Sequence, residues 1–343
     1  MGRLLERGDR VPDFVTTDAS GTQARFYARA GGRPTILVVH ADAGKATSAI
    51  SGLPEDLDII VVCVAVALKD AIPWFHDPDS VVCEAVGAQK GQGVAYVLDP
   101  NLRVLEAMVL DDTCERLPEN VINAALTRQR GDVDADADAI EVSFQAPVLL
   151  IPRILEEDKC RFLMDLWAQG GHEETGVETT AGGTREEVLS DEHKHRQDHT
   201  VTDPKLIRLL TSTIGRRMVP EVRRSFAYTA TRFEGFKIAC YNAESSGFFH
   251  AHRDNLSPAT AHRQFALTLA LNDGYDGGFL RFPEFGPNLY RLQAGTGVVF
   301  SCSHLHEVTA VTAGKRFALL TFLYDQERRQ SGGEQEEADR GSL

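Results

Sequence analysis

From Phe236 to Asp325 the chain is a succession of short apolar runs, FKIACYN, RQFALTLALN, GGFLRFPEF, GTGVVFSCS and RFALLTFLYD, separated by Gly, Asn, Asp and Pro. Runs this short, rich in β-branched and aromatic residues and bounded by turn formers, pattern as strands. A series of such strands fits a double-sheet roll or a barrel best, because either arrangement covers most of the strand edges. Two helical stretches stand before it. EEDKCRFLMDLWAQG (156–170) has apolar residues at Cys160, Phe162, Leu163, Leu166 and Trp167, acids at its front and Gly170-Gly171 behind. The second, 203–226, keeps a helical period through Leu206, Leu209, Leu210, Ile214 and Met218.

The front of the 343-residue chain reads differently. RPTILVVHA (33–41) and DIIVVCVAVAL (58–68) are buried-strand patterns, and GVAYVLDPNLRVLEAMVL (93–110) reads as two strands around a turn at Asp99-Pro100-Asn101. Helical stretches between them make this an α/β domain with a mixed sheet. The expected organisation is a front domain over 1–128, an acidic linker over 129–145, the β-rich domain over 146–325 and a disordered polar tail over 326–343. Within the linker, DVDADAD resembles a calcium loop by its alternating aspartates, but Ala137 stands where that loop needs Gly and Ser143 where it needs a bidentate Glu. The polar run 171–200, which contains His193, His195 and His199, lacks large apolar groups and is expected to be loop, lid or disorder.

A formal net charge of −14 without a basic stripe argues against a nucleic-acid partner. The first residues are charged and no stretch approaches the roughly 18 apolar residues of a spanning helix, so no membrane association and a cytoplasmic location are expected. The six cysteines, at 63, 83, 114, 160, 240 and 302, are scattered without C-x-x-C and read as reduced thiols.

The chemistry concentrates in GFFHAHRDN, residues 247–255. In a strand, residues at i, i+2 and i+4 share a face, so His250, His252 and Asp254 are expected to point to one side; His304 and His306 in FSCSHLHEV do the same. Two His and one Asp from two strands make the donor set that leaves iron three open positions. His250, His252, Asp254, His304 and His306 are therefore the candidates for a metal and catalytic centre, with His252-x-Asp254 and a later His as its pattern. Arg316, ten positions after His306, is the type of side chain that clamps a carboxylate with a fork.

These residues carry a resemblance. APVLLIPRILEEDKCRFLMDL, KIACYNAESSGFFHAHRDN, LALNDGYDGGFLRFPEFG and HEVTAVTAGKRFALLTFLYD, in that order, are similar to blocks of the prolyl 4-hydroxylase-like branch of the 2-oxoglutarate/Fe(II)-dependent dioxygenases. The resemblance implies a double-stranded β-helix (jelly-roll) oxygenase domain with N-terminal helices. It also implies iron on His252, Asp254 and His306, and 2-oxoglutarate with its distal carboxylate on Arg316. Tyr241 matches the family tyrosine that faces the cosubstrate; the alternative is a core tyrosine with a satisfied hydroxyl. His250 and His304 fall outside the triad, Lys315 has no chemical role, and Leu269 stands where some relatives carry a cosubstrate-binding tyrosine, leaving Thr268, Thr321 or water to complete the carboxylate contacts.

The implied reaction is hydroxylation of an unactivated C–H bond in a protein side chain, prolyl among the candidates, or in a small molecule, using dioxygen and releasing succinate and carbon dioxide. Ascorbate is an optional reductant. An iron-binding sensor or binding module without turnover is the alternative reading. The opening GDRVPDF and the strand that follows resemble a peroxiredoxin- or thioredoxin-like domain, but Ile50 stands where the peroxidatic cysteine after Thr47 belongs. The expectation is a redox-inactive α/β thioredoxin-like domain, with a homodimer through it left open.

Overall fold

One mixed sheet organises the front of the chain. A hairpin of β1 (Val15–Asp18) and β2 (Gln23–Arg25) runs into the short α1 (Phe26–Arg29). Then come β3 (Thr35–His40), α2 (Ala43–Ile50), β4 (Asp58–Cys63), β5 (Trp74–His76), α3 (Val81–Ala85), β6 (Gly93–Leu98), β7 (Val104–Leu110) and α4 (Glu119–Asp132). The strand order is β2-β1-β5-β4-β3-β6-β7, with β3, β4 and β5 parallel and the remaining pairs antiparallel. β3 and β6 are buried at every position, as strands covered on both faces must be. Their alternation divides the apolar groups into two cores: Leu37, Val39, Ile60 and Val62 face one, Ile36, Val38, Val61 and Ile50 the other.

The computed structural model describes residues 3–18, 20–54, 58–63, 74–88, 92–110, 116–132, 141–142, 144–174, 177–181, 184–188 and 194–326. The chain divides into two compact units, Met1–Ala139 and Ile140–Leu343. Helix α4 runs to Asp132, so the first four residues of the expected linker are helical. Gln129 and Arg130 are good helix formers that extend the preceding turns, which a reading by polarity alone does not register. The rest of DVDADAD from residue 133, the Cys63 side chain, Cys114, His193 and the tail beyond 326 lie outside the described residues.

In the second unit β8 (Leu149–Ile151) leads to α5 (Glu157–Gln169). Then follow β9 (Glu173–Glu174), β10 (Val177–Ala181), β11 (Thr184–Val188), β12 (Lys194–His195), β13 (Gln197–Thr200) and α6 (Pro204–Phe226). The β-rich remainder comprises β14 (Arg232–Phe233), β15 (Lys237–Asn242), β16 (Phe248–His252), β17 (Phe265–Ala270), β18 (Asp276–Gly277), β19 (Leu280–Arg281), β20 (Leu289–Tyr290), β21 (Gly297–Ser301), β22 (His306–Val308), β23 (Val311–Ala313) and β24 (Lys315–Tyr324). A larger sheet has the order β8-β21-β17-β24-β15-β13-β9 and a smaller one β12-β16-β22-β19-β20.

The period-2 alternation of the central strands decides which groups reach the interior. Ile238, Cys240, Leu267, Leu269, Leu319 and Leu323 pack outward against Cys160, Leu163 and Trp167 of α5 and Leu210, Ile214 and Met218 of α6. Ala239, Tyr241, Ala266 and Ala270 face the other way, with Leu280, Phe282, Val308 and Phe300. Helix α6 is set by its start: the Asp203 side chain accepts from the Lys205 N–H, and Pro204 occupies the first turn, where its missing N–H costs nothing. Two apolar residues of the helical patterns, Phe162 and Leu209, lie on solvent instead, 54% and 51% exposed.

The polar run 171–200 is not loop throughout. It contains β9 to β13, with β10 and β11 paired as a hairpin, β13 paired with β15 in the larger sheet and β12 with β16 in the smaller. Lys194 and Asp198 are buried there, 8% and 4% exposed. Their charges are met internally, so this strand pair carries no apolar signature to read.

Candidate active site

The triad is assembled from two strand ends and a turn. β16 ends at His252 and β22 begins at His306, and the two are register partners across the smaller sheet. A register shift between Phe249 and His252 breaks the simple alternation of β16. As a result His250 is exposed instead of sharing the inner face, and Asp254 lies beyond the strand, its N–H donating to the Cys302 carbonyl at 3.0 Å. The expectation of one face for His250, His252 and Asp254 is thus corrected: a bulge and a turn, not strand alternation, aim Asp254. His304 likewise precedes β22 in a turn, its ring edge-on to Phe285 at 4.9 Å.

His252 Nε2 stands 3.6 Å from Asp254 Oδ1 and His306 Nε2 3.4 Å from Asp254 Oδ2. The ligand atoms of the three residues all lie within 4.8 Å of one another. His252 Nδ1 is 2.8 Å from the His250 carbonyl and His306 Nδ1 3.0 Å from the His304 carbonyl. A carbonyl only accepts, so each Nδ1 carries the proton and each Nε2 offers a lone pair to the same point. Here His250 and His304 do contribute, but through their backbone. Burial pushes the His306 imidazole down to about 4, so it is neutral at neutral pH. For Asp254 burial acts upward, and the neighbouring His306, His252 and Arg263 outweigh it, holding the carboxyl below its usual value.

An aromatic wall encloses the imidazoles. Phe249 stacks on His252 at 3.6 Å between centroids, and Phe300 lies 4.6 Å from His306. Arg263 donates to the Asp254 carbonyl at 3.2 Å while its fork grips Glu234 at 2.7 and 2.5 Å, which ties the turn of Asp254 to the segment before β15.

The triad opens into a cavity of about 510 Å³ whose wall also includes Tyr241, Thr268, Arg316 and Thr321. Arg316 is 4% exposed and Thr321 3%, and Arg316 Nη1 and Thr321 Oγ1 have no hydrogen-bond partner among the described residues. Leu269 is fully buried in the outward core, away from this wall. A buried guanidinium nitrogen without an acceptor is costly, so such a site calls for an anionic ligand. Tyr241 is 2% exposed, and its hydroxyl accepts from Arg196 Nη1 at 3.3 Å. Lys315 is exposed.

Residues 236–324 match the sequence profile of the 2OG-Fe(II) oxygenase superfamily. This segment is a 2OG-Fe(II) oxygenase domain. Over 141 residues the chain is 32% identical to a PKHD-type hydroxylase from Nitrosomonas europaea, a match that covers 38% of this chain and 60% of that protein. A PKHD-type hydroxylase from a Synechococcus strain is 32% identical over 93 residues, covering 25% of this chain and 41% of that one. The chain therefore spans less than two thirds of the length of these relatives. A solved prolyl hydroxylase from Trichoplax adhaerens, in complex with a hypoxia-inducible factor oxygen-degradation-domain peptide, aligns with 54% of this chain and 87% of its own at 17% identity and a TM-score of 0.45.

The oxygenase domain implies Fe(II) and 2-oxoglutarate, and the side chains fit both. Two imidazole nitrogens and one carboxylate are a donor set for Fe(II), and the Arg316 nitrogen without a partner among the described residues, on the same cavity, suits the distal carboxylate. The charges agree as well: Fe(II) with Asp254 is +1, a dianion takes this to −1, and Arg316 restores neutrality.

Several contributors escaped the reading by sequence. Arg196 and Asp198 form a fork at 2.7 and 2.6 Å, and Lys194 Nζ approaches Asp198 at 3.9 Å. Their only signal is spacing: 194, 196 and 198 alternate as inward residues of a strand do. His195 and His199 instead place a ring nitrogen 2.8 Å from the Ser245 carbonyl and 3.3 Å from the Gly171 carbonyl, and His252, Asp254 and His306 are the one metal-competent cluster among the described residues. Burial pushes the Cys160 and Cys240 thiols up to about 12 and about 11, and Cys83, Cys160, Cys240 and Cys302 are all buried.

Proposed function

We propose that the chain is a 2-oxoglutarate- and Fe(II)-dependent dioxygenase that hydroxylates an unactivated C–H bond. Its substrate is a protein side chain, prolyl among the candidates, or a small molecule, and succinate and carbon dioxide are released. The observation that carries this reading is the opening of His252, Asp254, His306 and the unpaired Arg316 onto one cavity.

In this reading the Nε2 atoms of His252 and His306 and one oxygen of Asp254 hold the iron, and the backbone carbonyls of His250 and His304 keep both rings in the ligating tautomer. Arg316 receives the distal carboxylate, with Thr268, on the face of Ala266 and Ala270, available to complete its contacts; Thr321 alternates with Leu319 and Leu323 on the side of Leu269. Phe249 and Phe300 keep water from the donor atoms, and Tyr241 lines the cosubstrate end of the cavity. The iron, when bound with its cosubstrate, supplies the oxidising power for the hydroxylation.

The same proposal takes the front unit as a thioredoxin-like domain without thiol chemistry, used for docking or dimerisation, in a protein of the cytoplasm. Ile50, at the place of the peroxidatic thiol, is buried in the last turn of α2. No described helix is long and apolar enough to cross a membrane.

The test is an anaerobic titration with Fe(II) and 2-oxoglutarate that follows the visible charge-transfer band of the chelate. A band in wild type, lost in His252→Ala and displaced to much higher 2-oxoglutarate in Arg316→Ala, supports the reading. Folded, iron-loaded wild type without a band refutes it and leaves an iron-binding module.

A further inference from the structure

The hydrogen bonds around Tyr241 are directional in a way that reaches the cosubstrate. Arg196 spends Nε and Nη2 on Asp198, at 2.7 and 2.6 Å, and turns Nη1 to the Tyr241 hydroxyl at 3.3 Å. The Arg196 and Asp198 side chains are 10% and 1% exposed, so the fork is locked inside the domain. Burial works against the Arg196 charge and Asp198 overrides it, which keeps the guanidinium protonated. A guanidinium only donates. Arg196 therefore fills an acceptor position of the Tyr241 oxygen, and the phenolic proton must be directed elsewhere.

Among the described residues that proton has no acceptor. Tyr241 is 2% exposed and lies on the cavity wall, so the acceptor for its proton is whatever group enters the cavity. Arg316 is its register partner across β15 and β24, with the guanidinium carbon 4.9 Å from the Tyr241 ring centroid; that of Arg196 is 5.8 Å away. A buried donor without an acceptor and a buried guanidinium nitrogen without an acceptor thus adjoin in one cavity. A carboxylate placed between them satisfies both.

We propose that Arg196, held by Asp198, is a positioning residue for the cosubstrate: by occupying the acceptor side of the Tyr241 hydroxyl it turns the hydroxyl proton toward the carboxylate that Arg316 receives. The inference rests on the proposed function, which assigns 2-oxoglutarate to this cavity, and adds a residue outside the matched segment that sets its affinity. Without Arg196 the hydroxyl is free to rotate or to donate to Asp198, and the carboxylate loses an aligned donor.

The experiment is a double-mutant cycle on the full chain. Affinity for 2-oxoglutarate is measured on Fe(II)-loaded protein without dioxygen, with Fe(II) affinity measured separately, for wild type, Arg196→Met, Tyr241→Phe and the double variant. Arg196→Met is expected to weaken 2-oxoglutarate binding roughly tenfold, to leave Fe(II) affinity unchanged, and to cause no further loss in the Tyr241→Phe background. Because Arg196→Met strands a buried Asp198 and can prevent folding, the cycle is repeated with Lys194→Met/Arg196→Met/Asp198→Leu, which exchanges the whole charged cluster for apolar groups of similar size. Equal losses in the wild-type and Tyr241→Phe backgrounds, or a parallel loss of Fe(II) affinity, overturn the inference while leaving the proposed function standing. Wild type that takes up Fe(II) but no 2-oxoglutarate overturns both.

Discussion

Tyr241 and Arg316 face one another as register partners on β15 and β24, with the Arg316 guanidinium carbon 4.9 Å from the Tyr241 ring and its Nη1 buried without a hydrogen-bond partner among the described residues. A cation left in this state inside a sheet has been desolvated in advance for an anion. The arrangement is unfavourable when empty and becomes favourable when a carboxylate enters.

Replacing Arg316 separates cosubstrate binding from metal binding. Arg316→Ala is expected to lower 2-oxoglutarate affinity at least roughly a hundredfold, since a charge-assisted bidentate contact is lost, while Fe(II) stoichiometry stays at wild-type level. Loss of iron together with cosubstrate would place Arg316 in the metal site instead of beside it. The charge-transfer titration and metal analysis decide this.

Gly278 tests the same side chain from below. It has φ +59°, and a Cβ added there would meet Arg316 Cδ and Val311 Cγ2 at 2.9 Å. Gly278→Ala should strain the backbone by about 1 kcal/mol and push the guanidinium out of line, weakening 2-oxoglutarate binding while iron uptake persists. Unchanged affinity in the folded variant would show that Arg316 has room to move.

The donor set predicts its own losses. His252→Ala or His306→Ala leaves two ligands, and each is expected to abolish stable Fe(II) binding, read as metal per chain after gel filtration. His250→Ala should retain iron, since only its carbonyl is used. Iron loss in His250→Ala would show that its ring, not its backbone, serves the site.

Helix α5 is tied to α6 by Glu156, whose carboxylate meets Arg217 at 2.6 Å and Lys159 at 2.5 Å. Burial raises the Glu156 carboxyl, but Arg217 and Lys159 outweigh it and bring it down to about 2 from 4.5. A depressed folded value means stability that is fully present above pH 4.5 and is lost as pH falls toward 2. The contribution is at most roughly 3 kcal/mol. Thermal melts should therefore converge for wild type and Glu156→Gln as pH drops through that window, and differ above it; curves that stay parallel would remove Glu156 from the acid response.

Legibility followed the range of the forces. The strands TILVVH and GVAYVL were readable because they are apolar at nearly every position, and the core side of α5 because Cys160, Leu163 and Trp167 recur at helical spacing. His252, Asp254 and His306 could be chosen from spacing and resemblance. The pair at 194–200, within the run that reads as loop, lid or disorder, is hidden because its inward groups are Lys194, Arg196 and Asp198, which are buried with their charges paired. Nothing local marks such a strand.

By itself, then, the amino-acid order determined most of the strands and helices and the identity of the candidate ligands, because hydrophobic periodicity and turn chemistry act over a few residues. Tertiary structure alone decided how Asp254 is aimed, through a register shift in β16 and a turn held by the Cys302 carbonyl. It also decided that Arg196 meets Tyr241 across 45 positions of chain. A hydrogen bond has a direction, and in this domain the two sheets set that direction.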